Sequence, residues 1–371
     1  MTRYMAGKGK IGKELAWHLE NSEDNQHCTA YLEPFCGMCG VTKHMAKTTP
    51  SGDPWTFRHC SDVNGDVIAF WHEAQEGRVH IPAENPGRDE FLETGKRIKK
   101  RAREITGGEN MNPYVRPSEE RAEAAGQTFV GHCLGFGGNW YSGFDRESAE
   151  DPEHLHRAAA RVRVAGAALS DAEFRAINYQ EAFRLAKEQW LRQHDGPIPP
   201  GSILVYCDPP YVPLRGNSIP NDLFTRFDSE AFWDFVTDAD PCFRIYVSEL
   251  VAPPEKHQDK WRRWLRIPLK RTVAHSKQQF KHEAQELVFQ RVFEGMGPER
   301  EPREKPARRT RPPKVVAITK EDPEPPVAKP PTEPSTESQA GCGSRPAKKM
   351  RHPRGDMRQP QGDMGRAEHE P

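Results

Sequence analysis

One stretch of the chain is diagnostic of its fold class: Ser202-Ile203-Leu204-Val205-Tyr206-Cys207-Asp208-Pro209-Pro210-Tyr211. The residues up to Cys207 are almost all apolar, a pattern typical of a central strand that is buried on both faces of a parallel sheet. Open α/β sheets bind their ligands at the carboxyl ends of such strands. Asp208 and the residues after it therefore stand where we expect a functional site.

The residues that follow this strand offer three groups suited to an amino group on a planar ring. The Asp208 carboxylate and the Pro209 carbonyl can each accept a hydrogen bond from one N–H of the amino group, and Tyr211 can stack on the ring. The two prolines also stiffen the loop and lack N–H donors, which leaves carbonyl groups available as acceptors. The alternative interpretation is an ordinary proline turn that ends a strand.

Segments on both sides of this stretch alternate between strand and helix patterns. A strand at 29–32 runs into the turn Glu33–Gly40, and a strand at 56–60 ends close to Asp62. The other predicted elements are helices at 11–19, 65–74, 89–105, 153–168, 181–191 and 230–236, and strands at 174–178, 243–248 and 286–292. This order predicts an α/β fold with a doubly wound, Rossmann-like sheet.

The alternation is interrupted twice, and both interruptions divide the chain. We predict one domain made of residues 1–79 and 172–293, into which a mainly helical region, 80–171, is inserted. Residues 294–371 hold 15 of the 34 prolines, together with basic clusters and no apolar periodicity. Such a composition favours a disordered tail.

Composition excludes several classes of protein. Lys and Arg together number 54, as do Asp and Glu, so the net charge gives no direct sign of a polyanionic partner, although local basic patches can exist. No run of about 18 apolar residues is present, so we expect no membrane span. Eight cysteines at irregular spacing, without an apolar leader, favour reduced thiols in the cytoplasm. The pair Cys36-x-x-Cys39 has no matching second pair, so we expect no metal.

Four motifs in a fixed order resemble the Dam-like group of DNA adenine N6-methyltransferases, especially the forms carried by bacteriophages and prophages. They are Tyr4-Met5-Ala6-Gly7-Lys8, Glu33-Pro34-Phe35-Cys36-Gly37, the acidic strand end at Asp62, and Asp208-Pro209-Pro210-Tyr211. The resemblance covers about residues 1–293. It implies a Rossmann-like methyltransferase sheet, with 1–79 binding S-adenosylmethionine, 80–171 recognising the target and 172–293 carrying Asp-Pro-Pro-Tyr.

The resemblance also implies a reaction and a set of site residues. The reaction is transfer of a methyl group from S-adenosylmethionine to the N6 amino group of a flipped-out adenine at a specific site in double-stranded DNA. The implied catalytic residues are Asp208, Pro209 and Tyr211. The implied cofactor-binding residues are Tyr4, Gly7, Lys8, Glu33, Phe35, Gly37, Asp62, Asn178, Tyr179 and Asp208. The chain departs from the family pattern at Cys39, where a glycine is usual, and at Asn178, where an aspartate is usual.

The inserted region supplies candidate contacts with nucleic acid. Lys96, Lys100 and Arg103 belong to a run of cations suited to phosphate contact, although a solvated helix face is the default for such a run. Trp140 and Tyr141 lie in a segment rich in glycine and aromatic residues, where they could stack against bases. A small hydrophobic core of the insert is the alternative interpretation of these two rings.

Two other functions remain open from the sequence. RNA enzymes use related site motifs, so an RNA adenine N6-methyltransferase is the nearer alternative. A catalytically weak nucleic-acid-binding protein that keeps the fold is the second, and Cys39 and Asn178 motivate it. We expect a monomer in the cytoplasm, that of a bacterial host if the chain is phage-encoded.

Overall fold

The computed structural model describes residues 8, 11–107, 112–135, 140–141, 143–210, 227–268 and 285–292. The helices are α1 (Gly12–Asn21), α2 (Gly65–Gln75), α3 (Arg88–Thr106), α4 (Arg121–Cys133), α5 (Arg146–Glu150), α6 (His154–Ala168), α7 (Tyr179–Gln193) and α8 (Ser229–Asp238). The strands are β1 (Ala30–Glu33), β2 (Arg58–Asp62), β3 (Glu173–Ala176), β4 (Ile203–Cys207), β5 (Phe243–Glu249), β6 (Trp261–Pro268) and β7 (Gln285–Arg291).

The strands form a seven-stranded mixed sheet in the order β3-β2-β1-β4-β5-β7-β6. The first five strands in this order are parallel, whereas β7 runs antiparallel to both β5 and β6. The order 3-2-1-4-5 is that of doubly wound dinucleotide-binding sheets, and it reverses direction between β1 and β4. The predicted α/β class is confirmed, and the sheet is compatible with a Rossmann-like fold.

Helices cover both faces of the sheet because the central strands are apolar on both. On one face, α7 and α8 contribute Phe183 and Phe232 to a core that includes Leu32 of β1 and Val205 of β4. On the other face, Leu15 of α1 packs in a core with residues such as Tyr31, Leu204 and Tyr206. The strand run 203–207 is buried throughout, as its continuous apolar pattern predicts.

The inserted region shares its core with the sheet domain. Trp71 of α2, Phe91 of α3, Phe129 of α4 and Leu155 of α6 belong to one hydrophobic cluster. A Cβ on Gly166 of α6 would lie 2.1 Å from a carbonyl oxygen of α2, so α6 approaches α2 at a position where a larger residue would clash. The helices α4 and α6 therefore extend the layer that α2 begins.

Several elements differ from the sequence-based expectation. The strand expected at 56–60 is β2 at Arg58–Asp62, so Asp62 belongs to the strand itself. Neither α4 nor β6 was predicted; the apolar residues of β6 are separated by Arg262, Arg263 and Arg266, which obscure its strand pattern. No helix in the described ranges combines the length and apolarity needed to cross a membrane. The predicted tail, 294–371, lies outside the described residues.

Candidate functional site

Four polar side chains stand at the carboxyl edge of the parallel strands, in the order of the strands themselves. Asn178 follows β3, Asp62 ends β2, Glu33 ends β1 and Asp208 follows β4 directly. The carboxyl ends of neighbouring parallel strands meet at one edge, and the crevice where the strand order reverses is the usual ligand site. Glu33 and Asp208 flank that crevice.

A buried lysine joins Asp208 to a carboxylate from the far side of the sheet. Lys8 Nζ lies 2.6 Å from Asp208 Oδ1 and 2.8 Å from Glu286 Oε1. The side chains of Lys8 and Glu286 are each only 4% exposed, and that of Asp208 is 13% exposed. Glu286 lies near the start of β7, and because β7 is antiparallel its first residues reach the edge where the parallel strands end.

The charges of this cluster lie close enough to influence one another's ionisation. Burial by itself would lower the pKa of Lys8, but the carboxylates of Asp208 and Glu286 outweigh it and raise that pKa. Burial raises the pKa of Asp208, Lys8 opposes this effect, and Glu286 adds to it. With one ammonium between two carboxylates, the fully ionised cluster carries a net negative charge.

Glycine explains how Lys8 reaches this position. A Cβ built on Gly40 would lie 2.8 Å from the Lys8 Cβ and 2.9 Å from its backbone nitrogen. A Cβ on Gly12 would in turn lie 1.9 Å from the carbonyl oxygen of Gly40. The backbone before α1 can therefore pass against the turn after β1 only because both positions lack a side chain.

Glu33 is buried beneath this turn and stabilises it by accepting hydrogen bonds. Its Oε2 accepts hydrogen bonds from the Tyr31 hydroxyl at 3.0 Å and the Thr42 backbone N–H at 3.1 Å, and also from the Thr42 hydroxyl. Burial raises the pKa of Glu33 to about 7, although the bonds from Thr42 and Tyr31 oppose the shift. The carboxylate thus connects β1 to the end of the turn.

Asp62 holds the same turn from the neighbouring strand. One carboxylate oxygen accepts a bond from the Gly37 N–H at 3.0 Å, and the other accepts one from the Asn64 N–H at 2.9 Å. The Gly37 carbonyl in turn accepts a bond from Trp71 Nε1 at 2.8 Å. Asp62 is part-buried, and burial raises its pKa while these backbone bonds lower it.

Cys39 occupies the turn in a backbone conformation that favours glycine. Its φ is 47°, in the left-handed region, and its side chain is completely buried. Burial raises the pKa of the Cys39 thiol, which hydrogen-bonds with Cys36 and Cys60. The cysteine at this position is therefore accommodated by packing its thiol against two others.

Asn178 and Tyr179 together begin α7. The Asn178 side chain accepts a bond from the Glu181 N–H at 2.9 Å and so caps the helix, which leaves its amide N–H groups as donors. The Tyr179 ring is buried and stacks on Phe35, with ring centroids 5.5 Å apart. Two predicted cofactor-binding residues, Phe35 and Tyr179, are thus in direct contact.

The candidate nucleic-acid residues fall into two groups. Lys96, Lys100 and Arg103 lie on the exposed side of α3, where Lys96 and Lys100 also form ion pairs with Glu93 and Glu104. Trp140 and Tyr141 are each 6% exposed, with the Tyr141 ring 4.8 Å from that of Phe91 on the buried side of α3. Their surroundings match the alternative of a hydrophobic core, and stacking on a base would require both rings to leave it.

A segment of the insert also lies next to the site. The Tyr114 N–H donates to the Val63 carbonyl at 2.8 Å, and the Gly65 N–H donates to the Tyr114 carbonyl at 2.7 Å. Arg116 and Asp66 form a buried ion pair at 2.6 Å. These contacts attach the insert to the residues directly after Asp62.

Three predicted site residues, Tyr4, Gly7 and Tyr211, lie outside the described residues. Sequence reasoning did not identify Glu286 or Thr42. Glu286 had a weak signal, a charged residue at the start of an apolar strand, but its contact with Lys8 depends on the antiparallel placement of β7. In the described ranges, no three His, Cys, Asp or Glu side chains are grouped to hold a metal ion.

No family model matches the chain, and no curated protein is similar enough to count as a match.

Proposed function

We propose that this protein is a site-specific DNA methyltransferase that transfers a methyl group to the N6 amino group of adenine. The observation that carries the proposal is the meeting of three of the family motifs at one edge of the sheet. Lys8 of the first motif contacts Asp208 of the last at 2.6 Å, and Glu33 of the second ends the strand next to β4. These motifs are far apart in the chain, and a chance match has no reason to bring them together.

The residues present suit S-adenosylmethionine, which supplies a methyl group activated on a sulfonium. Asp62 is an acid at the end of β2, and its carboxylate oxygens each have a further lone pair with which to accept a ribose hydroxyl. Asn178 keeps its amide N–H groups for an adenine ring nitrogen. The net negative charge of the cluster around Lys8 also favours a nearby cation such as a sulfonium.

Asp208 and Pro209 carry out the proposed activation of the amino group. The Asp208 carboxylate and the Pro209 carbonyl each accept a hydrogen bond from one N–H of the amino group. These hydrogen bonds favour a tetrahedral nitrogen with a localised lone pair and stabilise the positive charge that develops on it. Asp208 Oδ1 accepts a bond from Lys8, and Oδ2 accepts none from the part of the chain that the structure describes. That oxygen is therefore available to an amino group. The adenine must leave the duplex first, because its amino group is otherwise paired and stacked.

The insert supports a nucleic acid as the target. The exposed cations of α3 suit phosphate contact, and the segment around Tyr114 connects the insert to the edge of the sheet at Asp62. Recognition and chemistry would then be joined through α2 and the residues before it. The RNA alternative has no observation of its own in its favour.

The experiment is a methyl-transfer assay with purified protein and S-adenosylmethionine, in which N6-methyladenine is quantified by mass spectrometry. Double-stranded DNA, single-stranded DNA and RNA are compared as substrates. We expect transfer to double-stranded DNA and its loss, by about 10²-fold or more, in Asp208→Ala, because the group that touches the reacting nitrogen is removed. Asp238→Ala, an exposed aspartate at the end of α8, is the control and should retain full activity.

Each alternative has a distinct result in this assay. Transfer to RNA alone would replace DNA as the substrate. Binding of nucleic acid without any transfer, and without binding of S-adenosylmethionine in calorimetry, would contradict the enzyme and favour a binding protein. Undiminished transfer by Asp208→Ala would show that the acceptor lies elsewhere.

A further inference from the structure

Glu286 is the one member of the buried charge cluster that belongs to none of the four motifs. Its Oε1 lies 2.8 Å from Lys8 Nζ, and the same nitrogen lies 2.6 Å from Asp208 Oδ1. The Lys8 ammonium therefore forms ion pairs with two carboxylates. The strand β7 brings Glu286 to the cluster from the antiparallel part of the sheet, beyond β5.

The sharing of Lys8 has an electrostatic consequence for Asp208. If Lys8 paired with Asp208 alone, the two charges would cancel, and the carboxylate would be a weak partner for a nitrogen that is becoming positive. With Glu286 as a second anion, the ionised cluster keeps a net negative charge. In a buried site such a charge acts at low effective dielectric and is worth more than it would be in water.

We propose that Glu286 is a positioning residue of the methyl-transfer site, which acts through Lys8 to keep a net negative charge on the cluster that contains Asp208. This inference rests on the proposed function. Glu286 acts without touching the adenine. Because Glu286 also pairs with Lys8, the ammonium neutralises Asp208 only in part. The same ion pair helps to keep Lys8 against the turn at Gly40.

Among the residues that the structure describes, the titratable groups near Asp208 come from several parts of the fold. They are Lys8 before α1, Glu33 of β1, Tyr206 and Cys207 of β4, and Glu286 of β7. Burial raises the pKa values of Tyr206 and Cys207, so both stay neutral near pH 7. Apart from burial, Lys8 and Glu286 are the groups whose charges shift the pKa of Asp208.

The test compares Glu286→Gln with the wild-type protein by two measurements. Glutamine keeps an oxygen that can accept a bond from Lys8, but it removes the charge. Because the like charge is lost, ionisation of Asp208 should shift to lower pH by about one unit, as followed by carbon-13 NMR of labelled aspartate carboxyls. The signal of Asp208 is assigned by its absence in Asp208→Asn.

The second measurement is the pH profile of kcat for methyl transfer. In Glu286→Gln the acid limb should move to lower pH, and the plateau should fall by about tenfold, less than for a group that touches the reacting atoms. Glu73→Gln is the matched control. Like Glu286, Glu73 is a buried carboxylate in an ion pair; it contacts Arg78 and Arg121 and lies near the end of α2 that points away from the site. It should change neither quantity.

The outcomes separate this inference from the proposed function. If Glu286→Gln leaves both the Asp208 midpoint and the kcat profile unchanged, Glu286 is a structural partner of Lys8 and the inference is wrong. If the wild-type protein transfers no methyl group, the proposed function fails, and the inference fails with it even where the NMR midpoint moves. A moved midpoint with an unchanged kcat plateau would contradict the electrostatic part of the inference.

Discussion

Cys39 combines a strained backbone with a buried side chain, and the two effects oppose each other on mutation. Its φ of 47° favours glycine, whereas its thiol packs against Cys36 and Cys60. The substitution Cys39→Ala loses the packing of the thiol and keeps the backbone strain. The substitution Cys39→Gly loses the same packing but relieves backbone strain of roughly 1 kcal/mol.

We therefore expect Cys39→Gly to be at least as stable as Cys39→Ala, the reverse of the usual order of these two residues. Chemical denaturation of both variants gives the free energies of unfolding. Ala102, in the middle of α3 and buried, supplies the control: Ala102→Gly should destabilise by about 1 kcal/mol. A Cys39→Ala variant clearly more stable than Cys39→Gly would show that the left-handed conformation is not maintained in solution.

The carboxyl group of Glu33 makes stability depend on pH. Burial raises its pKa from 4.5 to about 7 in the folded chain. Folding is therefore more favourable when Glu33 is protonated. Its contribution is fully present below pH 4.5 and is lost as the pH rises through about 7. The size of this loss is roughly 3 kcal/mol.

Glu33→Gln should remove this part of the pH dependence. The free energy of unfolding, measured by denaturation at pH 5 and at pH 8, should fall less with rising pH in the variant than in the wild type. The comparison between variant and wild type isolates Glu33 from the other titrating groups. Equal pH dependence in both proteins would contradict the assignment.

At the level of elements, α3 separates a buried side from a basic side. Phe91, Gly95, Ile98 and Ala102 face the core, and Gly95 leaves room for Tyr141, whose Cβ lies 2.8 Å from a Cβ built at that glycine. Lys96, Lys100 and Arg103 remain on the exposed side. The aromatic residues of the insert thus support the helix that presents the cations.

Neutralising these three cations should weaken DNA binding in a salt-dependent way. We expect the triple variant Lys96→Gln, Lys100→Gln, Arg103→Gln to reduce the slope of log K against log salt concentration by about 2–3, or roughly 0.9 for each phosphate contact. Fluorescence anisotropy with a labelled duplex at several salt concentrations measures the slope.

The control for this experiment is a set of exposed cations on α7. The variant Arg184→Gln, Lys187→Gln, Arg192→Gln removes the same charge from the opposite face of the sheet domain. Its salt slope should equal that of the wild type. Equal effects of the two triple variants would indicate a non-specific effect of net charge and would remove α3 from the interface.

At the scale of the whole molecule, the described sheet and its three hydrophobic clusters lie between Lys8 and Val292. The Pro-rich composition of residues 294–371, without apolar periodicity, predicts that they add no packed core. A chain that ends at Phe293 should therefore keep the free energy of unfolding of the full chain within about 0.5 kcal/mol, the usual size of effects outside a core. Denaturation of the two chains side by side tests this. A larger loss would show that residues 294–371 contribute to the folded domain.

Local patterns in the sequence were sufficient for much of the fold. The apolar run before Asp208 predicts β4 and its burial, because a strand covered on both faces needs no polar residue. The periodic apolar residues of α2 likewise predict a helix from local rules of helix formation. Such features depend on neighbours within a few residues. The cap of α7 was not predicted, because the sequence pattern extends the third strand to Asn178, whereas β3 ends at Ala176 and Asn178 caps the helix.

By itself the sequence determined the α/β class, the order of its motifs and the place of Asp208 at a strand end. Only the tertiary structure decided which distant side chains share a buried charge and which aromatic residues are covered. Glu286 meets Lys8 because an antiparallel hairpin returns to the sheet beside β5, and Trp140 and Tyr141 are buried because α3 and α4 enclose them. Contacts between residues so far apart in the chain follow from the packing of whole elements, and no local pattern of hydrophobicity or charge encodes them.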